Sequence, residues 1–202
     1  NATGDKSQNS RGGKDYWAVK VDASGNKVWD KRYGGSLDDY CSSAIATTDG
    51  GYLLVGASES GADGDRTQTS RGSVDYWVVK IDENGTKLWD KRFGGLSWDS
   101  CRSVIQTTDG GYLLSGTSSS SANGDKSQAT RGNTDYWAVK IDASGTKLWD
   151  QRFGGSAWED WPLPSVVGTL DGGYLLIGGP HSGADGDKSQ TSRGDDDFWA
   201  VN

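Results

Sequence analysis

Along residues 75–95, DYWVVKIDENGTKLWDKRFGG, side-chain character changes every second residue. Trp77, Val79 and Ile81 alternate with Tyr76, Val78 and Lys80, the period of a β-strand. Asp82-Glu83-Asn84-Gly85 follows, and Asn-Gly accepts positive φ at low steric cost, so a turn is predicted there. The alternation resumes from Thr86 to Phe93, with Lys87, Trp89, Lys91 and Phe93 on one face, and Gly94-Gly95 ends it. The stretch is therefore predicted to be a hairpin. Its first arm is apolar or aromatic on both faces, so both need cover. That suits a sheet held between neighbouring sheets.

The pattern recurs at 15–35 and 135–155 and begins again at 197–202. The first spacings are 60 residues (75 − 15 and 135 − 75) and the last is 62 (197 − 135). Between copies lies a third predicted strand such as 42–48, then Thr-Asp-Gly-Gly (48–51, 108–111), then a fourth at Tyr52–Ala57 or Tyr112–Thr117. The last copy has Leu170–Gly173 and Tyr174–Gly178 in those places. Four antiparallel strands per unit predict an all-β chain, a β-propeller-like array of four-stranded blades. A solenoid would need shorter coils, and independent sandwiches would need longer units to bury a core.

With the innermost strand starting near Tyr40, complete blades are expected at 36–95 and 96–155. Residues 1–35 then hold the outer strands of a partial blade, and 156–202 a partial blade with an irregular insertion, Trp161-Pro162-Leu163-Pro164 and Pro180-His181. About three and a half repeats fall short of the usual 4–8 blades. The expected partners are accordingly further repeats of a parent chain or copies of the chain itself. Asn1, with no initiator Met or leader before it, is read as the start of a mature or excised product.

Only 33% of the 202 residues are hydrophobic and the mean hydropathy is −0.71, but ten Trp and eight Tyr compensate, since each buries a large area. The 31 glycines fit a turn-rich chain. A net charge of −7 excludes the basic face that nucleic acid requires. No apolar run approaches the ~18 residues of a membrane-spanning helix.

The pattern DYWxVKxDxxGxKxWDxxxGG, then TTDGGYLLxG, then GDKSQxxRG resembles the roughly 60-residue repeats of large secreted and cell-surface bacterial proteins. Such arrays commonly precede a sorting domain of the type 9 secretion pathway. The likeness covers essentially the whole chain. It implies an extracellular or cell-surface location and display rather than a defined reaction. Asp22, Gly25 and Trp29 are also similar to the tryptophan-docking motif of quinoprotein propellers, one residue shorter and without its Thr. That likeness implies Trp29, Trp89 and Trp149 wedged between blades, and no quinone.

Candidate chemistry lies in three places. Asp5, Asp63, Asp65, Asp125, Asp185 and Asp187 cluster with Gly and Asn in segments such as ADGDRTQTSRG and could ligate calcium. Their spacing matches no full calcium loop, so turn capping and pairing with Arg11, Arg71, Arg131 and Arg193 are favoured over the metal. Cys41 and Cys101 occupy equivalent places in successive repeats and are either a disulfide between converging inner strands or two small buried residues. The third place is where the repeat breaks. Trp98, Trp158 and Trp161 fall in the link after Gly-Gly, with Tyr40, Asp38, Asp99, Glu159 and Asp160. Aromatics beside carboxylates suit stacking on sugar rings or a protein contact; plugging of a central channel is the alternative. Tyr40, Trp98, Trp158, Glu159, Asp160 and Trp161 are thus the candidate ligand-binding residues.

Arg193-Gly194-Asp195 spells an adhesion tripeptide, but the other copies read Arg-Gly-Gly, Arg-Gly-Ser and Arg-Gly-Asn, so chance explains it. Adjacent Glu159 and Asp160 would point to opposite faces of a strand. With no nucleophile motif, metal cluster or phosphate loop, no enzyme is expected. The expected function is a non-enzymatic surface scaffold or adhesion module. A glycan-binding propeller module, or an accessory segment of a larger secreted enzyme, is the alternative. No cofactor is expected beyond the calcium alternative.

Overall fold

The computed structural model describes residues 4–159, 164–179, 181–191 and 199–201. Their thirteen strands form four antiparallel sheets, with no helix. The first sheet is a hairpin of β1 (Tyr16–Val21) and β2 (Lys27–Tyr33). The second is β3 (Asp39–Ala46), β4 (Tyr52–Ser58), β5 (Asp75–Ile81) and β6 (Lys87–Phe93), each strand beside the next. The third repeats it with β7 (Asp99–Gln106), β8 (Tyr112–Ser118), β9 (Asp135–Ile141) and β10 (Lys147–Phe153). The fourth holds β11 (Ser165–Gly168), β12 (Tyr174–Gly178) and β13 (Trp199–Val201). The two complete blades lie inside 36–95 and 96–155. Because β7 packs against both β3 and β11, the first strand of each blade runs along the inner side. No closed ring forms among the described residues.

Alternation along β5 decides what each blade shows its neighbours. Trp77, Val79 and Ile81 pack with Tyr16, Tyr33 and Leu54, against the first hairpin. Tyr76 and Val78 pack with Cys101, Val104, Tyr112, Leu114, Trp137, Val139 and Ile141 of the next blade. β5 is buried along its whole length as a result. An aromatic ring that removes about 200 Å² from water contributes about 5 kcal/mol at about 25 cal/mol per Å². That is how a chain poor in aliphatic residues acquires a core.

One contact fixes the blade-to-blade register. The Tyr16 ring lies 4.7 Å from the Trp77 ring, and its hydroxyl donates to the Trp77 carbonyl at 3.0 Å. Tyr76 does the same one blade on, 4.9 Å from Trp137 and 3.0 Å from its carbonyl. The hydroxyl passes where Gly56 or Gly116 sits opposite the Trp in the ladder. A Cβ on Gly56 would run into the Tyr40 carbonyl and the Tyr16 hydroxyl, so the fourth repeated strand needs glycine there.

The second arm of each hairpin leans forward as well. Trp29 donates from Nε1 to the Glu83 carbonyl at 3.1 Å and lies 6.3 Å from Tyr52, while the Tyr33 hydroxyl donates to the Gly85 carbonyl at 2.6 Å. Trp149 lies 6.4 Å from Tyr174, and Trp89 packs on the core between the complete blades. The expected wedging of these tryptophans between blades is observed.

Candidate functional site

The long segment joining the second strand of each blade to the third is held by polar contacts. Asp90 accepts the Trp77 indole N–H at 3.1 Å, the Thr67 backbone N–H at 3.0 Å and Lys87 Nζ at 2.7 Å. Asp30 and Asp150 accept the equivalent groups of Trp17 and Trp137.

The calcium candidates are engaged elsewhere. Arg11 pairs with Asp65 at 2.6 Å, Arg71 with Asp125 at 2.8 Å and Arg131 with Asp187 at 2.7 Å. Each pair joins a loop to its counterpart one repeat on. Each of these carboxylates also accepts a backbone N–H, from Gly34, Gly94 or Gly154. Asp63 caps Ser36 through its N–H at 2.8 Å and its hydroxyl at 2.7 Å, and Asp185 caps Ser156. Asp5 is exposed, its carbonyl accepting Lys27 Nζ at 2.7 Å. Among the described residues no three acidic, His or Cys side chains converge on one point. Asp65, Asp125 and Asp187 are clasps between blades.

Cys41 and Cys101 are free thiols, not a disulfide. Each Sγ points to the carbonyl two residues on in its own strand, Ser43 or Ser103, where the ladder register shifts. Cys41 is exposed and Cys101 buried, and burial pushes the Cys101 thiol up to about 12.

Tyr40 and Trp98 do come together. The start of β7 is bonded to the segment ahead of β5, Asp99 N–H donating to the Val74 carbonyl at 2.9 Å, with Val74 and Trp98 forming a parallel bridge. Between the blades this leaves a cleft of about 300 Å³ lined by Tyr40, Glu59, Val74, Trp98, Ser100 and Arg102. The Tyr40 hydroxyl donates to Asp38 at 2.6 Å, which pushes its own ionisation up to about 12; Lys14 stands 4.8 Å from its ring. The Arg102 guanidinium lies 5.7 Å from the Trp98 ring, and its Nε is buried with no acceptor among the described residues. An aromatic wall, a cation and the Glu59 carboxylate in one cleft can stack on a ring and hydrogen-bond its hydroxyls.

Two other candidates lie elsewhere. Trp158, 51% exposed, takes the place of Trp98 one blade on, bridging Thr134. Glu159 lies apart from that cleft. It stands 60 residues after Asp99 and 120 after Asp39 and, like them, is fully buried. It accepts the Ser182 hydroxyl as Asp39 accepts Ser60 and Asp99 accepts Ser120. Burial first, then the neighbouring Asp135 carboxyl, pushes the Glu159 carboxyl upward. Asp160, Trp161, Pro162 and Pro180 lie outside the described residues, as does Arg193-Gly194-Asp195. His181 is exposed, its N–H donating to the Trp158 carbonyl at 2.9 Å.

Glu59 and Arg102 were not anticipated. Both break the repeat: Glu59 stands where later copies have Ser119 and His181, and Arg102 where the first has Ser42. The same test applied beyond the link would have found them.

No known family model matches the chain, and no curated protein matches it. Among solved structures, a protein of unknown function from Bacteroides caccae is similar, at 15% identity and a TM-score of 0.32. The match covers 83% of this chain and 66% of that one, just under two thirds of its length.

Proposed function

We propose that the chain is a non-enzymatic repeat scaffold of an extracellular or cell-surface protein, in which blades are stacked to build an extended adhesive or display surface. One observation carries this reading. The recurring residues serve blade-to-blade packing, through the Tyr16–Trp77 and Tyr76–Trp137 locks and the Arg–Asp clasps. The location rests on the likeness of the repeat motif to surface-displayed bacterial arrays. Urea unfolding followed by tryptophan fluorescence and circular dichroism tests the reading. One shared transition is expected; separate transitions for successive 60-residue units would remove its basis.

A second reading, glycan binding, is favoured by the cleft between Tyr40 and Trp98, where residues that break the repeat converge. Binding on a glycan array should vanish in Trp98→Ala and survive in Trp158→Ala. A chain that binds no glycan withdraws this reading and leaves the scaffold untouched.

A further inference from the structure

The cleft between the two complete blades carries its charges at opposite ends. Tyr40, at the start of β3, and Glu59, just past β4, come from the blade within 36–95. Trp98, just ahead of β7, and Arg102, within it, come from the next blade. Glu59 stands at the Tyr40 end. Its backbone N–H donates to the Asp38 carbonyl at 3.0 Å, and its charge adds to the Asp38 hydrogen bond that keeps the Tyr40 hydroxyl protonated. Arg102 stands at the other end, 5.7 Å from the Trp98 ring.

The other carboxylates beside the cleft are already engaged. Asp38 accepts the Tyr40 hydroxyl at 2.6 Å and the Lys14 backbone N–H at 2.9 Å. Asp99 is fully buried and accepts the Gly95 N–H and the Ser120 hydroxyl, each at 2.8 Å. Arg102 is only partly exposed and pairs with no carboxylate among the described residues. A partly buried guanidinium is costly to leave unpaired, and its planar fork matches a carboxylate through two parallel hydrogen bonds. Trp98 beside it offers a flat apolar face. The repeat supplies a control one interface on. Trp158 stands in for Trp98 there, but Tyr40, Glu59 and Arg102 give way in the sequence to Ser100, Ser119 and Pro162.

We propose that this cleft binds an acidic sugar, a hexuronate unit of an oligosaccharide. Its ring lies against Trp98, its carboxylate enters the Arg102 fork and its hydroxyls face Glu59. The assignment rests on the glycan-binding reading and takes it one step further, to the class of sugar. A neutral sugar would leave the guanidinium without its counter-charge.

The test is calorimetric titration of the intact chain with tetramers of galacturonate, glucuronate and mannuronate. Each is compared with its methyl ester, which keeps the ring and hydroxyls and removes the charge. At least one acid tetramer should bind about tenfold or more tightly than its ester, and less tightly as salt is added. Arg102→Ser places there the residue that the first repeat carries as Ser42. It should abolish the preference for the acid while circular dichroism stays unchanged. Arg102→Lys should keep only part of that preference, and Trp158→Ala all of it. Esters bound as tightly as acids, a preference that survives Arg102→Ser, or binding confined to neutral glycans overturns the acidic-sugar assignment and leaves the glycan reading standing. A chain that binds neither acids, esters nor any glycan on an array removes both.

Discussion

β1 and β9 are written in nearly the same letters, YWAVKV and YWAVKI, yet Trp17 is 44% exposed and Trp137 is 0% exposed. Local sequence makes both of them strands. What differs is the company: β9 has a strand on either side and a blade against its outer face, and β1 lacks the inner strand and the preceding blade among the described residues. Burial here is a property of neighbouring units, as in other arrays where stability is a sum over repeats and interfaces. The same residue in two copies is then its own control.

Tryptophan truncation breaks the comparison hardest. Trp137→Ala should cost about 3–5 kcal/mol, because it empties a packed site. Trp17→Ala should cost about 1 kcal/mol. Urea midpoints with an unchanged slope measure both. Equal costs would mean that the neighbouring blade does not matter.

A pH titration of stability is the next largest effect. Asp75, at the start of β5, is fully buried, and burial first, then the nearby Asp99, raises its carboxyl to about 6. The folded chain therefore holds that proton more tightly than the unfolded chain, whose carboxyl keeps its ordinary range near 4. The contribution is present at low pH and is lost as pH rises from about 4 to about 6, by up to about 3 kcal/mol. Asp75→Asn should flatten that slope in chemical unfolding measured across the range; an unchanged slope would place the titration elsewhere.

Smaller effects sharpen the picture. Tyr76→Phe removes the hydroxyl that meets the Trp137 carbonyl and should cost about 1–2 kcal/mol. Tyr16→Phe removes the same bond to Trp77 and should cost as much, since Tyr16 is buried even though Trp17 beside it is not. Asp125→Asn, at the half-exposed clasp with Arg71, should cost less than about 1 kcal/mol and matter less as salt is added.

The period of two, the Asn-Gly turn and the 60-residue spacing made the blades legible before any coordinates, because strand and turn chemistry are local. Which blade an arginine clasps was not legible: Arg71 could have served Asp65 of its own loop, and it serves Asp125 one repeat on. Only packing decides that. Glu159 stands at 60-residue steps from Asp39 and Asp99, but its burial beside Ser182 was not legible, since that too depends on packing. Tyr40 and Trp98 could be named but not joined, since the cleft exists only once two first strands lie side by side.

Native-state hydrogen exchange tests most directly whether the blades stand or fall together. The amides of β4, β5, β8 and β9 should open only with global unfolding, at one shared free energy, while the unpaired inner edge of β1 exchanges freely. Amides of β4 and β5 that open at a lower free energy than those of β8 and β9, as units independent of each other, would contradict the account.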